Sequence, residues 1–411
     1  MKRTAILLSA LATALMAVAQ GDARRMTLSE CIRTAVENNL GLKAAGKQVE
    51  QRRAMEGTAW DLAKTELSLS QDPTSGGSPD NALSLQQSID FPTVYVARRR
   101  QLKAETQAER SRMKVEENGL KADVAAAFAQ LAFQAERLRI LQDNDSALAR
   151  YADVAAKRFK AGESRQLELL TAQRLQRENR QEMLTANSCL SIAQILLKQL
   201  LNVDYAVLPA EEQFTALPFS DSQLAYGETA EAQYDADRLQ ALQRAVTVAK
   251  GGYAPSISLQ VSNQLVISSW NPYHQDRSRF SGGNFMGFEV GIGVPIFFGA
   301  TKARVKAANR EREAAELQIN QRRQEQQRDY DTALAKCREA KSRMDFYNGT
   351  ETQAAEEMRR LAQLEYEQGE IGYVEYVSAL QQVFDTRLKQ AQAINDFNQS
   401  VVALGRISGK W

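Results

Sequence analysis

The spacing of apolar residues along the chain changes period twice, and the changes recur. Leu120, Val124, Ala127, Leu131, Gln134, Leu138, Leu141, Asp145, Leu148, Ala152, Ala155 and Phe159 step by alternating four and three residues, a coiled-coil seam with two polar members. After Gly162 the same spacing resumes at Leu169, Ala172, Gln176, Asn179, Met183, Ala186, Leu190, Ala193, Leu197 and Leu200. No proline interrupts Pro92 to Gly162 or Pro295 to Gly369. Each stretch is predicted as a helix of about 70 residues, about 100 Å long, followed by a tight turn and an antiparallel return. Elsewhere the period is two. Leu67 and Leu69 alternate with Glu66, Ser68 and Ser70, and Leu83, Leu85 and Ile89 with Ser84, Gln86 and Ser88. Ile257, Leu259 and Val261, and later Phe288, Val290, Ile292 and Val294, oppose polar residues or glycine. These patterns predict two β-hairpins, 64–91 and 256–297. Residues 27–59 read as helix, with Thr27 as N-cap three residues before Glu30.

The chain also contains itself twice. Phe159 to Gly162 with Leu167-Glu168 returns 207 residues later as Tyr366 to Gly369 with Val374-Glu375. Pro92 with Leu102-Lys103-Ala104 returns at an offset of 203, and Ala54, Gly57 and Ala59 at 195. The rising offset places insertions in the second copy, in its hairpin and again, by four residues, in the long segment before its glycine. The predicted organisation is a signal peptide at 1–19, a first repeat at 20–202 turning at 162, a linker at 203–227, and a second repeat at 228–411 turning at 369.

Composition narrows the function classes. Fifty-two basic and 50 acidic residues leave a formal charge of +2, which gives no support to a nucleic-acid partner. One histidine and three separated cysteines cannot build a Cys/His metal site, and no phosphate loop or nucleophile elbow is present, so neither an enzyme nor a bound cofactor is expected. Met1-Lys2-Arg3, an apolar run from Ile6, and Ala17-Val18-Ala19 form an export signal. The mean hydropathy of −0.43 excludes a bundle of membrane helices.

Strands of about ten residues with one apolar face have the pattern of membrane-spanning β-strands. A hairpin in a soluble sandwich alternates in the same way. Four strands cannot close a barrel, and lipid does not tolerate open edges, so spanning strands require several chains to pool them. Trp270, Tyr273, Phe285, Phe297 and Phe298 cluster at the ends of the second hairpin, where an aromatic girdle would sit.

The opening Met26-Thr27-Leu28-Ser29-Glu30-Cys31, the Val294-Pro295-Ile296-Phe297-Phe298-Gly299 stretch, and the duplicated aromatic-x-x-Gly turn resemble the TolC family of outer-membrane efflux proteins over the whole mature chain. Phe91-Pro92-Thr93-Val94-Tyr95 resembles the branch paired with heavy-metal-exporting pumps. The resemblance implies a mainly α protein with a small β part. In the family, a homotrimer pools twelve strands into one barrel in outer-membrane lipid, and an α-barrel continues it across the periplasm. The helical tips would meet a periplasmic adaptor (membrane fusion protein) and an inner-membrane pump of RND type, with metal cations or drugs as cargo.

The resemblance also implies a periplasmic gate at the tips. Glu168 and Glu375, six positions after each turn glycine, would line it, giving six carboxylates per trimer and a preference for cations. Tyr366 matches a gate tyrosine. Ile371 and Ser378 depart from the pattern, which leaves Arg165 or Arg158 as lock partners by proximity. Gly162, Gly369, Phe159, Leu167 and Val374 would form the tip surface that contacts adaptor or pump. The same glutamates also read as ordinary solvated helix residues. Two other functions stay open: a periplasmic coiled-coil adaptor or scaffold without a pore, and the exit duct of a type I protein secretion system.

Overall fold

The computed structural model describes residues 23–72, 80–162, 164–210, 214–220, 224–266 and 284–411. In chain order its elements are β1 (Arg24–Met26), α1 (Leu28–Asn38), α2 (Leu40–Met55), β2 (Glu66–Asp72), β3 (Asp80–Asp90), α3 (Pro92–Lys160), α4 (Gln166–Leu201), β4 (Val207–Pro209), α5 (Ala230–Lys250), β5 (Ser256–Val266), β6 (Asn284–Gly293), α6 (Gly299–Phe346), α7 (Thr352–Gln368) and α8 (Tyr373–Ser408). The chain forms two compact units, one of 23–45, 114–230 and 323–411 and the other of 46–113 and 231–322. Each unit draws corresponding pieces from both halves of the sequence. The proposed signal peptide lies outside the described residues.

In the first unit the seam read from sequence is the packing seam. Val124, Leu131, Leu141, Leu148 and Ala155 of α3 are buried, as are Ala172, Asn179, Ala186 and Ala193 of α4, spaced by seven. Small side chains at the α4 positions let the two backbones approach closely. Asn179 is the polar member, and it is satisfied: Nδ2 donates to the Leu141 carbonyl at 3.0 Å, and Oδ1 accepts from Asn144 at 2.9 Å. A mismatched register would strand this buried amide. The base of the hairpin is closed by a cluster of Cys31, Val124, Leu131, Leu197, Leu201 and Val207.

Three expectations change in this unit. The helix predicted over 27–59 is two helices and a final short turn, broken at Asn39, whose ψ of 127° leaves the helical region. Asn39 Oδ1 accepts from Leu42 N at 3.1 Å to cap α2, and its amide donates to the Leu200 carbonyl. Thr27 caps α1 as predicted, in a reciprocal box with Glu30. The described parts of 203–227 make specific contacts. β4 pairs in parallel with β1, Leu217 N donates to Asn398 Oδ1 at 2.7 Å, and Phe219 meets Phe397 edge-on at 6.0 Å. Finally, the second long helix is interrupted by a π-helical segment, Tyr347–Glu351, with Gly349 at φ −90°, ψ −122°. The segment lies within the stretch, between Ala307 and Tyr366, in which the second copy carries its extra four residues. An insertion of four rotates the following apolar positions off the seam, and a local distortion brings them back.

The second unit carries a four-stranded antiparallel sheet in the order β2-β3-β5-β6. Its register puts Glu66, Gln86, Gln260 and Glu289 in one cross-strand row and Ser68, Ser84, Ser262 and Gly287 in the next. The alternate positions, among them Leu67, Leu85, Val261, Phe288 and Ile292, are exposed apolar residues. Among the described residues the outer edges of β2 and β6 pair with no strand. Away from the sheet, Arg322 holds the buried carboxylate of Asp235, and Ser111 donates to Asp237. No described helix is long and apolar enough to cross a membrane.

Candidate functional site: the helical tips

Both hairpin turns are built alike. Gly162 and Gly369 each stand at φ +77°, the left-handed region in which a side chain is strained, and each ends its helix. The Gly162 amide donates to the Phe159 carbonyl and the Gly369 amide to the Tyr366 carbonyl. The chain then restarts as helix at the fourth residue, with Arg165 and Gly372 as N-caps. Glu168 and Glu375 therefore occupy the same third helical position, where a carboxylate complements the free backbone amides.

The two glutamates are nevertheless used differently. Glu375 is exposed and folds back to accept from its own Gly372 amide at 2.6 Å. Glu168 is 4% exposed and turns into the protein, where its Oε1 accepts from the Tyr366 hydroxyl at 2.7 Å. In the single chain the two carboxylates thus stand in different surroundings, one exposed and one buried.

Tyr366 lies in an aromatic cluster. Its ring stacks on Tyr376 at 4.4 Å and 4°, and Tyr151 meets it edge-on at 6.1 Å. Ala155, Ala172, Ala362 and Leu380 complete the apolar packing, and Ile371 is packed against it. The departure at Ile371 therefore fills a hydrophobic role. Burial first, then the hydrogen bond to Glu168, pushes the Tyr366 phenol up to about 12. Tyr376 is also raised, mainly by burial.

Of the two candidate arginines, Arg158 reaches the site: its guanidinium lies 5.4 Å from the centroid of the Tyr366 ring. Arg165 is exposed and makes no cap hydrogen bond. Ser378 is exposed and accepts from Gln382 at 3.4 Å. Around these polar groups the tips present exposed apolar side chains, with Phe159, Leu167 and Val374 at 40%, 61% and 62%. Sequence reasoning missed Tyr151 and Tyr376. Their signal was present as tyrosines on the seam side of each hairpin, but pattern alone does not separate them from core.

The aromatics expected at the barrel ends are placed only in part. Trp270 and Tyr273 lie outside the described residues, as does the side chain of Phe285. Phe297 and Phe298 follow β6 and are exposed, and Phe298 lies 5.8 Å from Tyr253. A corresponding pair in the first copy, Trp60 stacked on Tyr95 at 5.3 Å, was not read from sequence.

Residues 31–203 and 226–410 match the outer membrane efflux protein family. The chain belongs to that family. Its fold is that of solved outer-membrane channels. The chain is similar to CusC, at a TM-score of 0.76 and 17% identity over 95% of both chains. A membrane protein from Pseudomonas aeruginosa aligns at 0.75 and 18%, over 93% of each chain. The MtrE outer membrane channel of Neisseria gonorrhoeae, solved in an open state, aligns at 0.72 and 19%, over 93% of this chain and 88% of that one. No curated protein matches. The efflux channel is thus an exit duct of the outer membrane with its helical part in the periplasm. Among the described residues it carries no cluster able to hold a metal ion.

Proposed function

We propose that three copies of this chain pool their sheets into a twelve-stranded barrel, and that the tips form a gate held shut by the Glu168–Tyr366 hydrogen bond. The bond joins two different helical hairpins: Glu168 on α4 belongs to the first and Tyr366 on α7 to the second. It is the observation that carries the reading, because a single buried polar bond between two hairpins is one that a sliding or tilting motion would break. Arg158 over the Tyr366 ring supports the same closed arrangement. The unpaired edges of β2 and β6 support pooling, since lipid requires every strand edge to be partnered.

A periplasmic adaptor and an inner-membrane pump would engage the exposed Phe159, Leu167 and Val374 at the tips, and the pump would supply the energy. An RND pump of the heavy-metal branch is favoured by the Phe91-Pro92-Thr93-Val94-Tyr95 stretch. Metal cations or drugs are the cargo classes consistent with it. Single-channel recording tests the gate. Replacing Tyr366 by Phe removes a hydrogen bond to a buried carboxylate, and the open probability should rise by about tenfold or more. Neutralising Glu168 and Glu375 together should reduce cation selectivity. If neither change alters conductance or selectivity, the gate lies elsewhere.

A further inference from the structure

We propose that Tyr151 is a further gating residue, whose hydroxyl takes over the Glu168 carboxylate when Tyr366 leaves it. The inference rests on reading the Glu168–Tyr366 bond as a latch. Tyr151 is 1% exposed, and its hydroxyl has no hydrogen-bond partner. An unpartnered phenol in a buried site is costly, and native packing rarely retains one.

The Tyr151 ring sits beside the latch. The Tyr151 ring lies edge-on to Tyr366 at 6.1 Å and to Tyr376 at 5.8 Å, and Tyr366 itself contacts Glu168. Burial raises the Tyr151 phenol well above its ordinary range, and the neighbouring Tyr366 and Glu168 raise it further, so it stays a donor at any physiological pH.

The connectivity decides what happens on opening. Tyr151 on α3 and Glu168 on α4 belong to one hairpin, closed by the Gly162 turn and by the packing of Ala155 with Ala172. Tyr366 and Tyr376 belong to the other. Separating the hairpins withdraws Tyr366 from the carboxylate and leaves Tyr151 next to it. A rotamer change of Glu168 then satisfies both the carboxylate and the orphan hydroxyl. In the closed state the Tyr151 hydroxyl is unpaired, and in the open state it is paired with Glu168, so it biases the tip toward opening.

The test uses full-length trimers in planar bilayers carrying Tyr366→Phe, with and without Tyr151→Phe. Tyr366→Phe alone should open the tip. Adding Tyr151→Phe keeps the ring packing but removes the second donor, and should lower the open probability at least about fivefold. In an E168A/Y366F background the Tyr151→Phe change should have no effect, because no carboxylate is left to receive the hydroxyl. If Tyr366→Phe opens the channel but Tyr151→Phe leaves that opening unchanged, the role of Tyr151 is overturned and the latch stands. If Tyr366→Phe itself leaves opening unchanged, the latch fails and Tyr151 falls with it. Heat resistance of the Tyr151→Phe trimer should equal or exceed that of the parent. A clear loss would mean that the hydroxyl is already bonded in the closed state, and would overturn the proposal.

Discussion

Replacing Ile192 and Ile195 by Asp should prevent trimer assembly while leaving the protomer folded. The two residues, with Leu184 and Leu196, are 53–64% exposed on α4. Leu184 and Ile195 lie on the helix face opposite Ala186, Ala193 and Leu197, which are buried within the protomer, and Ile192 and Leu196 flank that face on one side. A helix that is apolar on two faces needs a neighbour on each. Within the protomer α3, α1 and β4 cover one face, and a second copy of the chain is expected to cover the other. Full burial of an isoleucine side chain stabilises by about 1.5–3 kcal/mol, so covering the part still exposed contributes about 1–2 kcal/mol per residue. Two residues at each of three interfaces give on the order of 6–12 kcal/mol for the trimer, before the added cost of burying aspartates. Light scattering in detergent measures the mass, and circular dichroism confirms the helical protomer. A double variant that keeps the trimer mass and heat resistance of the parent would refute this assignment of the face.

Three further outcomes follow from particular contacts. Gly405→Ala places a Cβ 2.9 Å from ring carbons of Trp411 and overlapping its Nε1, so the ring must leave and lose its 3.2 Å bond to the Val402 carbonyl. In a W60F/W270F background, Trp411 fluorescence should shift red, and an unchanged spectrum would contradict the packing. Gly369→Ala meets nothing within 4 Å, so its cost is the left-handed backbone alone, about 1–2 kcal/mol, read as a lower denaturation midpoint, with Gly369→Asn costing less. The Tyr366 phenol is raised from 10.0 to about 12, so its contribution to stability is present below pH 10 and is lost as pH rises from 10 to 12. The Tyr366→Phe variant should lack that alkaline component of the heat-resistance profile.

The regular parts of the protein were legible because period encodes burial. The α3–α4 seam, both hairpins and both glycine turns appear in the structure where the spacing put them. Each of those features depends on residues close together in sequence or repeated at a fixed step. The break at Asn39 depends instead on a hydrogen bond to Leu200, 161 residues away, and no local signal announces it. Leu217 and Phe219 are held by Asn398 and Phe397, which lie still farther away in sequence. At the tip, the duplicated turn places Glu168 and Glu375 at the same helical position but does not fix their contacts. The difference between them comes from which hairpin presents a tyrosine, which is a tertiary fact. Tyr366 was named from a family pattern, but its bond to Glu168 and the orphan hydroxyl of Tyr151 could be seen only once the two hairpins were packed together.

The central claim is that this chain forms a pore through the outer membrane. The most direct measurement is ion conductance of the purified, full-length protein in planar lipid bilayers, recorded alongside its mass in detergent. The account predicts trimers that insert and give discrete conductance steps, with openings that become more frequent in the Tyr366→Phe variant. A folded protein that stays monomeric, or that leaves the bilayer resistance unchanged in both forms, would contradict it and favour a periplasmic scaffold without a pore.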